Sequence, residues 1–186
     1  MFCQDWGSLI GLRVAIQNQE RFRGIILSNG GLPAPTRNTR MPKAFKRWRN
    51  FSKYSPIFPI GKIIQMGTYK TLSKEVIKGY TAPFPANKYK AGARIFPSLV
   101  PMMPNDPETK QNKKAWEILS KWNIPFLTAF SDKDPITRGG DKIFRKKVPG
   151  TKRRNHVTVK NAGHFLQEEK GEEIASIILN FISEIS

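Results

Sequence analysis

Residues 3–7 read Cys3-Gln4-Asp5-Trp6-Gly7, an acidic side chain between small residues two positions before and two positions after it. A nucleophile set on a sharp strand-to-helix turn needs small neighbours at those two positions, because larger side chains do not fit inside the bend. An apolar helical stretch, Leu9-Ile10-Gly11-Leu12-Arg13-Val14-Ala15-Ile16, follows at once. The segment therefore predicts strand, elbow and helix in sequence, with Asp5 at the apex. Taken alone, Asp5 could equally cap the helix behind it.

Two more groups at predicted strand ends turn that motif into chemistry. Pro125-Phe126-Leu127-Thr128-Ala129-Phe130 is a buried strand by composition, and the loop Ser131-Asp132-Lys133-Asp134-Pro135 ends it. His156-Val157-Thr158-Val159 is another, followed by Ala162-Gly163-His164. Each residue has a plain reading by itself: Asp134 as a turn residue before proline, His164 as a satisfied core histidine. In the order Asp5, Asp134, His164 they form a nucleophile, acid and base, the chain order of triads in the α/β-hydrolase fold. Open α/β sheets gather ligands beyond the carboxyl ends of their strands, so the three would share one cleft. Asp132 is the alternative acid, with the poorer spacing.

An aspartate at the elbow forms an alkyl ester rather than an acyl-enzyme. Water must then cleave that ester. His164 would be its base and Asp134 would orient the imidazole. The Trp6 backbone N–H would be one donor to the oxyanion.

The rest of the chain alternates as a parallel α/β fold requires. Helices are expected at 8–19, 109–121, 139–147 and 166–184, and a third apolar strand at 24–28. Strand, helix and strand over the first 28 residues make one right-handed crossover. Ile174, Ile177, Ile178, Phe181 and Ile182 fall on one helical stripe. Between about 33 and 107 the chain changes character and holds eleven of its 14 prolines. Proline stops helices, so short helices are expected near 43–52, 57–67, 73–79 and 88–95. Phe45, Trp48, Phe58, Phe84, Phe96 and Leu99 are too apolar for disorder. The domain division is thus 1–32 with 108–186 as core, and 33–107 as an inserted helical cap.

Gln4-Asp5-Trp6-Gly7, Trp48, Tyr80-Thr81-Ala82-Pro83-Phe84-Pro85, Phe96-Pro97 and Ala162-Gly163-His164-Phe165-Leu166-Gln167-Glu168 together resemble the haloalkane dehalogenases. The resemblance runs over essentially the whole chain. It implies that Asp5 attacks a halogen-bearing carbon and that the indole N–H groups of Trp6 and Trp48 bind the departing halide. It implies a dry pocket of Phe45, Phe96, Pro97, Val100, Ile136 and Phe165. The partners would be a small haloalkane, water and the halide product, with no cofactor and no metal. Ser8 departs from the family, which often has a second glycine there. The family's sheet has about eight strands with the nucleophile after the fifth. The resemblance thus places further strands upstream of Met1, with the loop that gives a second oxyanion donor. The expected fold is an α/β-hydrolase with a truncated parallel sheet and an inserted cap. As a C-terminal portion, the chain is expected to be insoluble alone or impaired in dehalogenation, since an open apolar sheet edge aggregates.

Three other readings are weighed. Epoxide hydrolysis also uses an aspartate elbow, with cap tyrosines, for which Tyr54, Tyr69, Tyr80 and Tyr89 are available. An inactive fragment would share the fold. A nucleic-acid binder ranks lowest. It rests on the 32 Lys and Arg against 14 acids, a net charge of +18, and the basic runs 37–53 and 142–154, without a recognised binding motif. One cysteine excludes an internal disulfide, and two histidines exclude a His-rich metal site. No signal peptide is visible and no apolar run approaches the roughly 18 residues that span a bilayer. The expected location is cytoplasmic, and the oligomeric state is open.

Overall fold

The computed structural model describes residues 1–186. Four strands, β1 (Phe2–Asp5), β2 (Ile25–Gly30), β3 (Phe126–Ser131) and β4 (Val157–Val159), form one parallel sheet in the order β1-β2-β3-β4. Helix α1 (Trp6–Gln17) crosses from β1 to β2. Its buried residues Ser8, Leu12, Ala15 and Ile16 recur with the helical period, so the helix lies along the sheet on one stripe. Helix α6 (Pro107–Leu119) leads to β3, and its proline occupies the first turn, where no N–H is needed.

Alternation along the strands sorts the core into two layers. Ile25, Leu27, Phe126 and Phe130 face Leu12, Ile16, Leu119 and Trp122. With them packs Phe144 of helix α7 (Asp141–Lys147). On the other face Ile26, Leu127 and Ala129 meet Phe181 of the C-terminal helix, while Val159, Ala162 and Leu166 meet its Ile174. Helices on both faces of a parallel sheet is the open α/β arrangement expected from the sequence. The sheet's edge strands are β1 and β4; β1 pairs only with β2. Its Cys3 is 4% exposed, and burial pushes that thiol up to about 12.

Between β2 and α6 lie helices α2 (Lys43–Tyr54), α3 (Ile60–Gly67), α4 (Lys74–Thr81) and α5 (Ala91–Leu99), close to the expected short helices. Trp48 stacks on Phe51 and Phe58, with centroids 6.1 and 5.8 Å apart. The helix expected from 57 begins only at Ile60, after Pro59. α5 is preceded by a 3-10 turn, Asn87–Lys90.

One helix departs from expectation. The span 166–184 is two helices, α8 (Leu166–Glu169) and α9 (Gly171–Ile185), broken at Lys170, whose φ and ψ are −139° and 35°. The glycine that follows is a weak helix former, which makes this the natural place to break. α9 then buries Ile174 and Phe181, while Ile182 of the expected stripe is 50% exposed. Ile177 and Ile178 pack against the same layer, partly buried. No helix is long and apolar enough to cross a membrane.

Phe144 is 1% exposed and lies against Trp116 and Phe126, at 4.8 and 5.8 Å between centroids. Phe144→Ala should lower unfolding free energy by about 3–5 kcal/mol in urea titration. Leu179→Ala, at an exposed position, should stay within about 0.5 kcal/mol of the parent.

Candidate active site

Asp5 ends β1 and opens α1 with φ 46° and ψ −122°. A non-glycine residue at positive φ holds its backbone against steric preference, as the apex of an elbow must. Its side chain makes no capping bond to α1, so the helix-cap reading fails. Ser8 fastens the bend: its hydroxyl donates to the Asp5 carbonyl (2.5 Å) and accepts from the Gly31 N–H (2.8 Å). The serine that departs from the family's glycine is thus buried and bonded. A Cβ at Gly30 would lie 2.3 Å from the Ser8 Oγ, so the loop after β2 closes on the elbow only with glycine there.

Parallel pairing brings the strand ends together, and with them the three candidates. The His164 Nδ1–H donates to Asp134 Oδ2 at 2.9 Å, and His164 Nε2 lies 3.5 Å from Asp5 Oδ1. The side chains are graded in exposure: Asp134 0%, His164 14%, Asp5 49%. The acid is therefore sealed, the imidazole nearly so, and the carboxylate of Asp5 open to a ligand. Asp134 also accepts from the Ile136 N–H (2.7 Å) and the Thr137 hydroxyl. Asp132 instead accepts from the Asn161 N–H and makes no contact with His164.

The electrostatics follow from this packing. Burial alone would lower the imidazole pKa, but the bonds and charges of Asp134 and Asp5 outweigh it and raise it to about 10. For Asp134, burial pushes upward, while His164, Thr137 and the Ile136 N–H outweigh it and leave the carboxyl below its ordinary value. The packing thus favours the protonated form of His164, which lies between Asp134 and Asp5.

A cleft of about 1000 Å³ opens at Asp5 and includes Phe45, Val100 and Ile136 of the expected pocket in its lining. Trp6, Trp48, Phe96, Pro97 and Phe165 do not line that cleft. Trp6 borders an adjacent cleft with Leu99 and Val100 and sits edge-on to Phe96, 4.7 Å between centroids. Pro97 is buried within α5. Phe165 is edge-on to the His164 ring at 5.2 Å and packs toward Tyr80. Neither indole N–H, of Trp6 or of Trp48, has an acceptor within the chain, whereas Trp116 donates to Leu32 O at 2.7 Å.

Sequence reasoning missed the residues that hold His164 in place. Buried Asn29 donates to the carbonyls of Gly163 (2.9 Å) and His164 (3.1 Å), while its Oδ1 accepts from the Ser131 N–H (2.9 Å). Gln4, beside the elbow residue, donates to the same His164 carbonyl at 2.7 Å. The Asn29-Gly30-Gly31 run was a visible signal, but it reads as a turn.

The sign of the pH dependence follows from the raised imidazole pKa. A group ordinarily at 6.5 and raised to about 10 in the folded chain adds stability that is complete below 6.5. That stability disappears as pH rises through about 10. The thermal midpoint should therefore fall across this window in a fluorescence melt, and His164→Gln should flatten the fall.

No family model matches the chain. A haloalkane dehalogenase of Psychrobacter cryohalolentis is 49% identical over 182 residues, covering 98% of this chain and 59% of that protein. A haloalkane dehalogenase of Mycolicibacterium paratuberculosis is 46% identical over 181 residues, covering 97% and 59%. Among solved structures, the tetrameric haloalkane dehalogenase DpaA of Paraglaciecola agarilytica superposes with a TM-score of 0.83 at 26% identity, over 94% of this chain and 57% of that one. The chain spans about three fifths of the length of the curated relatives it matches. It is a homologue of the haloalkane dehalogenases and carries part of their α/β-hydrolase fold.

Proposed function

We propose that this chain carries the residues for hydrolytic dehalogenation of haloalkanes, with Asp5 as nucleophile, His164 as base and Asp134 as its partner. The carrying observation is one imidazole, 2.9 Å from a sealed carboxylate and 3.5 Å from an open one at a strained elbow. An Asp5 oxygen displaces halide from an sp³ carbon, forming an alkyl ester as the carbon–halogen bond breaks. Water then attacks the Asp5 carboxyl carbon and gives its proton to His164. The oxyanion meets the Trp6 backbone N–H. Collapse restores the carboxylate and releases an alcohol, and the proton leaves afterwards.

The raised pKa of His164 fits this order of events. An imidazolium is no base, but esterification removes the charge of Asp5, one of the two anions that hold the proton. The imidazole then loses its proton more readily, so it becomes a base when the ester needs one. The halide role of Trp6 and Trp48 comes from the resemblance alone: neither lines the cleft at Asp5, and what supports it is that the chain leaves both indole donors without an acceptor. An indole N–H binds an anion without bringing a nucleophile. Residues 33–107 would act as the cap, with Phe45 and Val100 of that segment and Ile136 of the core lining the open cleft. The single thiol is buried, which suits the cytoplasm, where no disulfide is needed.

Epoxide opening is favoured less. None of Tyr54, Tyr69, Tyr80 or Tyr89 lines the cleft at Asp5, and the Tyr80 hydroxyl donates to Glu168 at 3.0 Å.

Intact-mass spectrometry after incubation with a short primary bromoalkane tests the first step without requiring turnover. His164→Gln should gain one alkyl group on the peptide containing Asp5 and release about one equivalent of bromide. Asp5→Asn should do neither, and Trp6→Phe or Trp48→Phe should slow the adduct about tenfold or more, the loss of a charge-assisted donor. No adduct on any variant would remove the proposal.

A further inference from the structure

Glu169, at the end of α8, is 9% exposed, and no lysine, arginine or histidine forms an ion pair with it. Its Oε1 accepts from the Tyr69 N–H (2.7 Å) and the Lys70 N–H (2.6 Å). Its Oε2 accepts from the Gly163 N–H (2.6 Å). A buried carboxylate is costly unless its lone pairs are satisfied. Three backbone donors do that here, and they come from two segments far apart in sequence. One is the loop between α3 and α4. The other is the residue before His164.

A second seam runs beside this one. The Gly67 carbonyl accepts from the N–H of His164 (2.6 Å) and of Phe165 (3.4 Å). A Cβ at Gly163 would fall 2.4 Å from the Gly67 oxygen and 2.9 Å from the Tyr69 nitrogen. A Cβ at Gly67 would fall 2.5 Å from the Phe165 ring. The two backbones touch, and only glycine allows them to. Neither segment can move away without breaking these bonds, of which the one from the Gly163 N–H is buried and those from Tyr69 and Lys70 are partly so.

We propose that Glu169 is a positioning residue that locks the α3–α4 loop to the histidine loop, so that the helices between β2 and α6 and the His164 imidazole are placed as one unit. The catalytic consequence rests on His164 being the base; the mechanical coupling does not. The carboxylate is the essential part. Glutamine has the same shape but one acceptor oxygen, and its NH₂ would face either Gly163 or the Tyr69–Lys70 pair, donor against donor.

Hydrogen exchange on the full 186-residue chain reads the coupling directly. In Glu169→Gln, peptides over 64–72 and 160–167 should exchange together, roughly tenfold faster or more. Peptides over β2 and β3 should not change. The imidazole ¹⁵N titration of His164, which faces Asp5 and Asp134, should move downward, while that of His156 stays. Glu168→Gln, which loses only the Tyr80 bond, should leave His164 unmoved. Faster exchange confined to 64–72, with an unchanged His164 titration, would reduce Glu169 to a local clip and overturn the proposal. Should Glu169→Gln not fold, the parent chain in low urea still decides: the two segments should open with one common urea dependence, and independent opening refutes the coupling. A chain that alkylates Asp5 but opens independently fails this proposal alone. A chain that opens as one unit but never alkylates fails only the proposed function.

Discussion

An imidazole gripped by two carboxylates is the constraint around which this fold is arranged. Asp134 is completely buried and would be costly as an anion without its imidazolium. His164 is nearly buried and would be costly as a cation without both anions. The two buried members depend on that contact, at 2.9 Å, while Asp5 at 3.5 Å faces solvent as well. The distances can hold only if β1, β3 and the loop after β4 end at the same level. The parallel sheet supplies that level, and register therefore matters to chemistry as much as to stability.

The same economy recurs in the supports. Asn29, Gln4, Gly67 and Glu169 all act on the backbone on either side of His164, through carbonyls and N–H groups rather than through the ring. The ring is thus oriented by Asp134 and located by everything else. Such a division leaves the Nε2 side of the imidazole free of any partner except Asp5, the side from which the proposed mechanism draws a proton off water.

Much of the site's geometry was legible in the sequence because it resides in side-chain types with a fixed order. Asp5 between small residues, Asp134 before a proline and His164 after a glycine each mark a strand end, and their order limits what they can be. The buried strands were legible as short apolar runs, 24–28 and 125–130, and the helix behind the elbow as the apolar stretch that follows it. What escaped has a common physical cause. Glu169 and Asn29 bind main-chain groups, and every residue carries those, so no partner type appears in the sequence to betray them. The break at Lys170 was hidden too. Helix-compatible polar residues fill 167–170, and Gly171 alone marks the interruption.

Cys3 sits two residues before the elbow, buried on a strand with a neighbour on one side only. Its sulfhydryl bonds to the Ile26 carbonyl across the β1–β2 seam at 3.6 Å. As long as that seam is closed the sulfur is neither ionised nor reachable, so electrophilic thiol reagents have nothing to attack. Once β1 peels away, it becomes an ordinary reactive mercaptan. The molecule thus carries its own chemical gauge of fraying at the strand that delivers Asp5, with a single site of reaction and no competing thiol to obscure it.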